Sequence, residues 1–338
     1  DVMRVTILGR STIILGSQQA ATDLLEKRSG IYSDRPETPV YDIMGWSVNL
    51  AFTKYASTRF RKLKKMFQQN LSPKACVQFQ HVQTENAHML VNDLIQNKGN
   101  YVYLVGRIAY GHQIRSDDDE YIKIGTEGAN GFLVGGTPGA TMIDYCEALP
   151  GLVSGYALCG NSAHMEARCR LNAQLSVRLK MVRREGPRNS EAILATELQC
   201  RGEQVFSDED VSVLKGVAGA VHAGGTETTS ASPALFAMAM LSYPERQKRR
   251  QGEVDRVVGR DMFPTFEDKK SLPYRFLHLT SFSHCSQGIA HHFTDDDTYR
   301  GMFIPKGSVV IANLRGISLD ENMYKNPTDF NPNRFLPK

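Results

Sequence analysis

Between residues 223 and 229 the chain reads Ala-Gly-Gly-Thr-Glu-Thr-Thr, an acid followed directly by hydroxyls and preceded by paired glycines. A carboxylate beside a hydroxyl can hold a proton and pass it on, which is the groundwork of general acid–base chemistry. Upstream, Ser207 with Asp208, Glu209 and Asp210 behind it has the form of a helix start. A capping side chain there is followed by acids that suit the positive end of the helix dipole. Val211, Leu214, Val217, Ala218 and Val221 then recur at helical spacing, so the run is predicted to lie within a long buried helix. Each glycine weakens such a helix by about 1 kcal/mol relative to alanine. A buried acid costs more unless it has a partner. Two readings follow. The glycines can simply admit a close neighbour while the threonines bond back to carbonyls one turn earlier. Alternatively, something bulky lies against Gly224 and Gly225, and Glu227 and Thr228 have a chemical task.

The flanks separate these readings. HAGGTETT and the later stretch LSYPERQKRRQGEVDRVVGRDMFPTFEDKKSLPY, ending at Tyr274, resemble the cytochrome P450 family in its fungal, membrane-bound branch. The resemblance implies that the run lies over heme (iron protoporphyrin IX) in the family's long central helix. Gly224 and Gly225 then allow oxygen and porphyrin to approach, and Glu227 and Thr228 deliver protons during oxygen activation. The chemistry suits the residues, because O–O cleavage consumes protons that a hydroxyl beside a partly wet carboxylate can relay.

Residues 54–73, KYASTRFRKLKKMFQQNLSP, resemble the family helix whose Trp-x-x-x-Arg grips a heme propionate. Phe60 and Lys64 stand at those positions. Phenylalanine cannot donate a hydrogen bond, and lysine brings a point charge rather than a two-pronged fork. The resemblance assigns the propionate contact to Lys64, with Arg61 as the alternative. Alone, the cluster Arg59, Arg61, Lys62, Lys64 and Lys65 reads as an ordinary solvated face; in the family context it points to a propionate or an acidic redox partner. Near the start, MRVTILGRSTIILGS alternates like a hairpin with Gly9-Arg10 at the bend, and QQAATDLLEKRSGIYSDRP reads as an amphipathic helix ending near Gly30. Near the end, YRGMFIPKGSVVIANLRGISLDENMYKNPTDFNPNRF resembles the family's strand pair, short helix and Phe-x-Pro-x-Arg-Phe meander. Phe330, Pro332, Arg334 and Phe335 occupy that last pattern, and the Val309–Ala312 stretch is strand-like.

The chain departs from the family's pattern at three points. The Phe-x-x-Gly-x-Arg-x-Cys-x-Gly loop that supplies the axial thiolate is not found, and none of Cys76, Cys146, Cys159, Cys169, Cys200 and Cys285 stands two residues after an arginine. Thiolate ligation favours O–O cleavage, so the chain as it stands is expected to be inactive, a non-catalytic fragment or pseudoenzyme being the alternative function. After Leu272-Pro273-Tyr274 the stretch RFLHLTSFSHCSQ matches nothing, which removes the family's Glu-x-x-Arg; Glu253-x-x-Arg256 lies earlier and reads as a surface pair. Finally, Pro233 is expected to interrupt the central helix.

Composition bounds the rest. The 338 residues are 41% hydrophobic, enough for a sizeable core, and a net charge of +4 without a nucleic-acid motif argues against a nucleic-acid partner. The cysteine spacings fit a reducing compartment, and no apolar stretch reaches the roughly 20 residues that span a bilayer. His278, His284, Cys285, His291 and His292 crowd together, yet lack the paired spacing of a zinc site. The expected fold is mainly α, a triangular helical body with a small β-rich lobe, as one partial domain over 1–338 that lacks the family's membrane anchor and heme-cysteine segment. The resemblance implies a monomeric monooxygenase at the cytosolic face of the endoplasmic reticulum. It would oxidise an apolar small molecule with O2 and with electrons from NADPH through a flavoprotein reductase.

Overall fold

A computed structural model describes residues 1–7, 9–38, 41, 46–96, 207–272 and 288–331, with 119, 123, 193, 196 and 197 as isolated positions. Its contacts divide into two compact units. One holds Asp1–Tyr32, Glu227–Ile289 and Phe293–Lys338; the other holds Ser33–Thr226 and Ala290–His292.

The first unit opens with the predicted hairpin. β1 (Val2–Ile7) and β2 (Arg10–Leu15) pair antiparallel from Val2 opposite Leu15 to Ile7 opposite Arg10. Arg10 therefore belongs to the strand rather than the bend. Gly9 takes φ +81°, a conformation side chains resist, which is why the tight turn falls there. β2 also pairs in parallel with β6 (Val309–Ala312), Thr12 opposite Val309 through Leu15 opposite Ala312. Ile13, Leu15 and Val310 face one core with Ala20, Leu24, Tyr32, Phe293, Tyr299 and Ile304. Between the strands in sequence lie α1 (Gln18–Ala21), a π-helical stretch Thr22–Lys27 and α2 (Ser29–Tyr32). The expected single helix is thus built in three pieces. The wider π turn shifts the register within it, and Ala20, Leu24 and Tyr32 are all buried. Gly30 sits inside α2 rather than ending it, and the helix runs on to Tyr32.

Polar contacts tie this helix to β4 (Asp297–Tyr299), which pairs with β5 (Met302–Ile304). The Asp23 carboxylate accepts from Lys27 (2.8 Å), Gln19 (2.9 Å) and the Tyr299 hydroxyl (2.9 Å). Those donors, Lys27 first, hold its carboxyl far below the usual range. Asp297 accepts from Arg28 and from the Tyr32 hydroxyl at 3.1 Å. Burial, with that carboxylate beside it, pushes the Tyr32 phenol up. β6 leads into α7 (Leu314–Ser318), capped by Asn313, whose side-chain oxygen accepts from Gly316 N at 2.9 Å.

The second unit is helical at its centre. α3 (Thr58–Leu71) starts at Ser57, whose Oγ accepts from Phe60 N at 3.1 Å, and it ends at Ser72, just before Pro73. α4 (Gln80–Ile95) follows a 3₁₀ turn, Ala75–Phe79. The predicted long helix is α5 (Asp208–Ser242), and its opening reproduces the expected cap: Ser207 Oγ accepts from Asp210 N at 3.1 Å while Asp210 Oδ2 accepts back. Leu63, Met66 and Phe79 are buried with Val213, Leu214, Val217 and Ala218. At about 1.5–3 kcal/mol for each fully buried large aliphatic side chain, this contact dominates what fixes α3 against the first half of α5.

Pro233 does not end α5, which continues to Ser242. The backbone bond a proline cannot make is local, and Ser232 Oγ donates to the Thr228 carbonyl (2.8 Å) in the same turn. Ala239 and Met240 are buried with Phe330. α6 (Pro244–Val257) then starts with proline in its first turn. On α6 Glu253 is half-buried while Arg256 is exposed, and among the described residues Arg256 forms no ion pair, so the expected surface pair is not made. Among the described residues no helix is long and apolar enough to cross a membrane.

Candidate functional site

The second unit carries the residues that could meet a carboxylate-bearing ligand on α3 and a flat one on α5. α3 buries Leu63, Met66 and Asn70 on one side. The basic cluster divides around that face. Arg59 donates to Ser212 Oγ at 2.8 Å and Lys62 pairs with Glu209 at 2.7 Å, so these two cations fasten α3 to the opening turns of α5. Arg61, Lys64 and Lys65 are exposed, and among the described residues none of them forms an ion pair. Sequence reading put all five in one group; α5's Glu209 and Ser212 separate them.

Phe60 is half-buried, its ring 5.1 Å from that of Tyr55 at an interplanar angle of 48°. The Lys64 ammonium lies 5.9 Å from the Phe60 ring centroid. The residue at the expected hydrogen-bond donor position thus touches the residue at the expected cation position.

Along α5 the glycines do different things. A Cβ on Gly216 would lie 2.5 Å from the Val48 carbonyl oxygen and 2.9 Å from Leu63 Cδ2. That close approach is the task the sequence offered as one reading of Gly224 and Gly225. It falls two turns earlier, at a glycine the sequence did not single out. Gly224 is exposed, and a Cβ built there meets no described atom within 4 Å. Gly225 is half-buried. Between these glycines, His222 continues the stripe of Leu214, Val217, Ala218 and Val221 and is buried. Burial pushes its imidazole down to about 4, so it is neutral at physiological pH. Sequence reading passed over it; the available signal was a titratable residue four positions after Ala218 on an apolar face.

The remaining predicted residues distribute as follows. Glu227 is helical in backbone, and its side chain lies outside the described residues. Thr228 is exposed in the first unit. Phe330 is buried against Ala239 and Met240; Pro332, Arg334 and Phe335 lie outside the described residues. His278, His284 and Cys285 lie outside them as well, while His291 and His292 form the short β3. Among the described residues no three His, Cys, Asp or Glu side chains converge as metal ligands.

This arrangement suits a flat macrocycle bearing carboxylates. Bare helical backbone faces open space at Gly224, and α3 offers Lys64 and Arg61 as exposed cations. Both features belong to the same unit.

Comparisons with known proteins agree with that fit. The family model for cytochrome P450 matches residues 180–338. The cytochrome P450 monooxygenase COX2 of Coprinopsis cinerea is 30% identical over 355 residues, covering 99% of this chain and 67% of the relative. The tryptamine 4-monooxygenase of Psilocybe cyanescens is 30% identical, with 99% of this chain and 69% of that protein covered. A solved zebrafish cytochrome P450 superposes with a TM-score of 0.77 at 20% identity, over 99% of this chain and 79% of that one, a likeness of fold. The chain spans about two thirds of the length of the curated relatives it matches.

Proposed function

This chain belongs to the cytochrome P450 family, and from that premise we propose that it carries the heme-distal helix and a propionate-binding helix of a monooxygenase acting on an apolar small molecule. Heme, when bound with a thiolate ligand, supplies reductive cleavage of O2. None of the six cysteines stands two residues after an arginine, so the reading assigns these residues the distal and propionate sides and leaves the axial sulfur unassigned. Electrons come from NADPH through a flavoprotein reductase. The protein acts as a monomer at the cytosolic face of the endoplasmic reticulum, with residues 1–338 belonging to a single domain of this fold.

The observation that carries this reading is the exposed, unobstructed backbone at Gly224, directly after the buried stretch ending at His222. In the proposal Gly224 and Gly225 leave room for a porphyrin face, and Lys64, with Arg61 near it in sequence, neutralises a carboxylate. Glu227 and Thr228 hold and pass protons to the reacting oxygen. The meander residues Phe330, Pro332, Arg334 and Phe335 brace the fold, and Phe330 does so against Ala239 and Met240.

The test is a reduced carbon-monoxide difference spectrum of the chain loaded with hemin. A carbon-monoxide-dependent Soret band is expected, and its position reports whether a thiolate is the ligand; no such band counts against the reading. A second expectation concerns protons. In a heme-loaded, reductase-coupled preparation, Thr228→Ala should raise hydrogen peroxide released per NADPH by about tenfold, at the lower edge of general acid–base effects. Unchanged coupling would remove Thr228 from the relay.

A further inference from the structure

The aromatic and the cation on α3 work as one device. Trp-x-x-x-Arg offers two independent donors to a propionate, whereas Phe60 has none to offer. Its ring instead lies beneath the Lys64 ammonium at 5.9 Å, one helical turn away. The ring is itself steadied by Tyr55, 5.1 Å between centroids, and by the cap at Ser57, which takes the Phe60 N–H at 3.1 Å. Lysine has four rotatable bonds and loses much freedom when its head group must stay in one place. An aromatic face that holds the ammonium before a ligand arrives reduces that loss on binding. The other cations on this helix are arranged differently. Lys62 is committed to Glu209 and Arg59 to Ser212, Lys65 has no aromatic ring beside it among the described residues, and Arg61 reaches back to the Ala56 carbonyl at 3.4 Å.

We infer that Phe60 is a positioning residue for Lys64: it contributes to carboxylate binding only through the ammonium it holds. The inference rests on the reading that α3 faces a heme propionate. It predicts coupling between the two positions and dependence on the ligand's carboxylates.

The experiment is a double-mutant cycle on the whole chain, with iron protoporphyrin IX and its dimethyl ester as probes. Binding is followed by quenching of Trp46, the only tryptophan, and thermal melts of each variant establish that it folds. Lys64→Met should weaken binding of the dicarboxylate by about three- to tenfold and leave the ester unchanged. Phe60→Leu should weaken the dicarboxylate by about two- to fivefold, the range of a partly exposed cation–π contact, and again spare the ester. In the Lys64→Met background Phe60→Leu should have no further effect, and Phe60→Tyr, which keeps a ring, should bind like the parent. Additive losses, or a Phe60→Leu loss equal for dicarboxylate and ester, would overturn the inference while leaving porphyrin binding intact. Failure of the parent chain to bind either porphyrin would overturn the underlying reading and the inference with it.

Discussion

Gly216→Ala is expected to destabilise the chain by about 1–3 kcal/mol, the cost of forcing a methyl group into a filled contact. The added carbon would stand 2.5 Å from the Val48 carbonyl oxygen, a backbone atom that cannot swing aside, and 2.9 Å from Leu63 Cδ2. The same substitution three residues on has the opposite sign. At Gly219 a Cβ meets no described atom within 4 Å, so Gly219→Ala should raise stability by about 0.5–1 kcal/mol through helix propensity and a less free unfolded chain. Urea midpoints of the two variants, measured side by side, check the pair. A Gly216→Ala protein as stable as its parent would mean that α3 and α5 do not pack at this distance.

The second large effect is a pH dependence carried by His222. Its imidazole titrates near 6.5 when unfolded and near about 4 in the folded chain, with burial as the cause. The unfolded chain therefore takes up the proton first as pH falls. The contribution is complete above pH 6.5, declines as pH drops toward about 4, and is constant below. Over that window the parent should lose roughly 3 kcal/mol relative to His222→Gln, which cannot titrate. Denaturant midpoints at a series of pH values, parent minus variant, isolate this from the carboxylates that titrate alongside. Parallel curves would place His222 in water.

Local pattern made much of the fold legible. The hairpin, the Ser207 cap, the helical spacing from Val211 to Val221 and the strand at Val309–Ala312 each depend on neighbours within a few residues, and each stands where expected. What failed to show in sequence depended on partners far along the chain. A glycine pressed against a carbonyl and a glycine facing open space look identical in sequence; only Val48 and Leu63 distinguish Gly216 from Gly224. The basic cluster on α3 read as one group because Glu209 and Ser212, which claim two of its members, lie about 150 positions away. Pro233 was weighed by its average cost in a helix, and the surrounding turn of α5 absorbs it. The π-helical stretch Thr22–Lys27 has no local signature; it is set by the simultaneous burial of Ala20, Leu24 and Tyr32.

For the candidate site, the family resemblance singled out Phe60, Lys64 and Gly224, while the structure added how they are used. Phe60 touches Lys64, and Gly224 is bare rather than packed. His222 could have been noticed as a titratable residue on an apolar stripe, since its spacing from Ala218 matches that of its apolar neighbours.

The central claim is that α5 presents an unobstructed face at Gly224 because a porphyrin lies there, and Gly224→Leu tests it most directly. The substitution meets no described atom nearby and replaces a poor helix former with a good one, so the melting temperature should hold or rise. Hemin affinity, read by Trp46 quenching, should fall by about tenfold or more, as expected when a side chain occupies a ligand's contact face. A Gly224→Leu chain that keeps both its stability and the parent's hemin affinity would contradict the account.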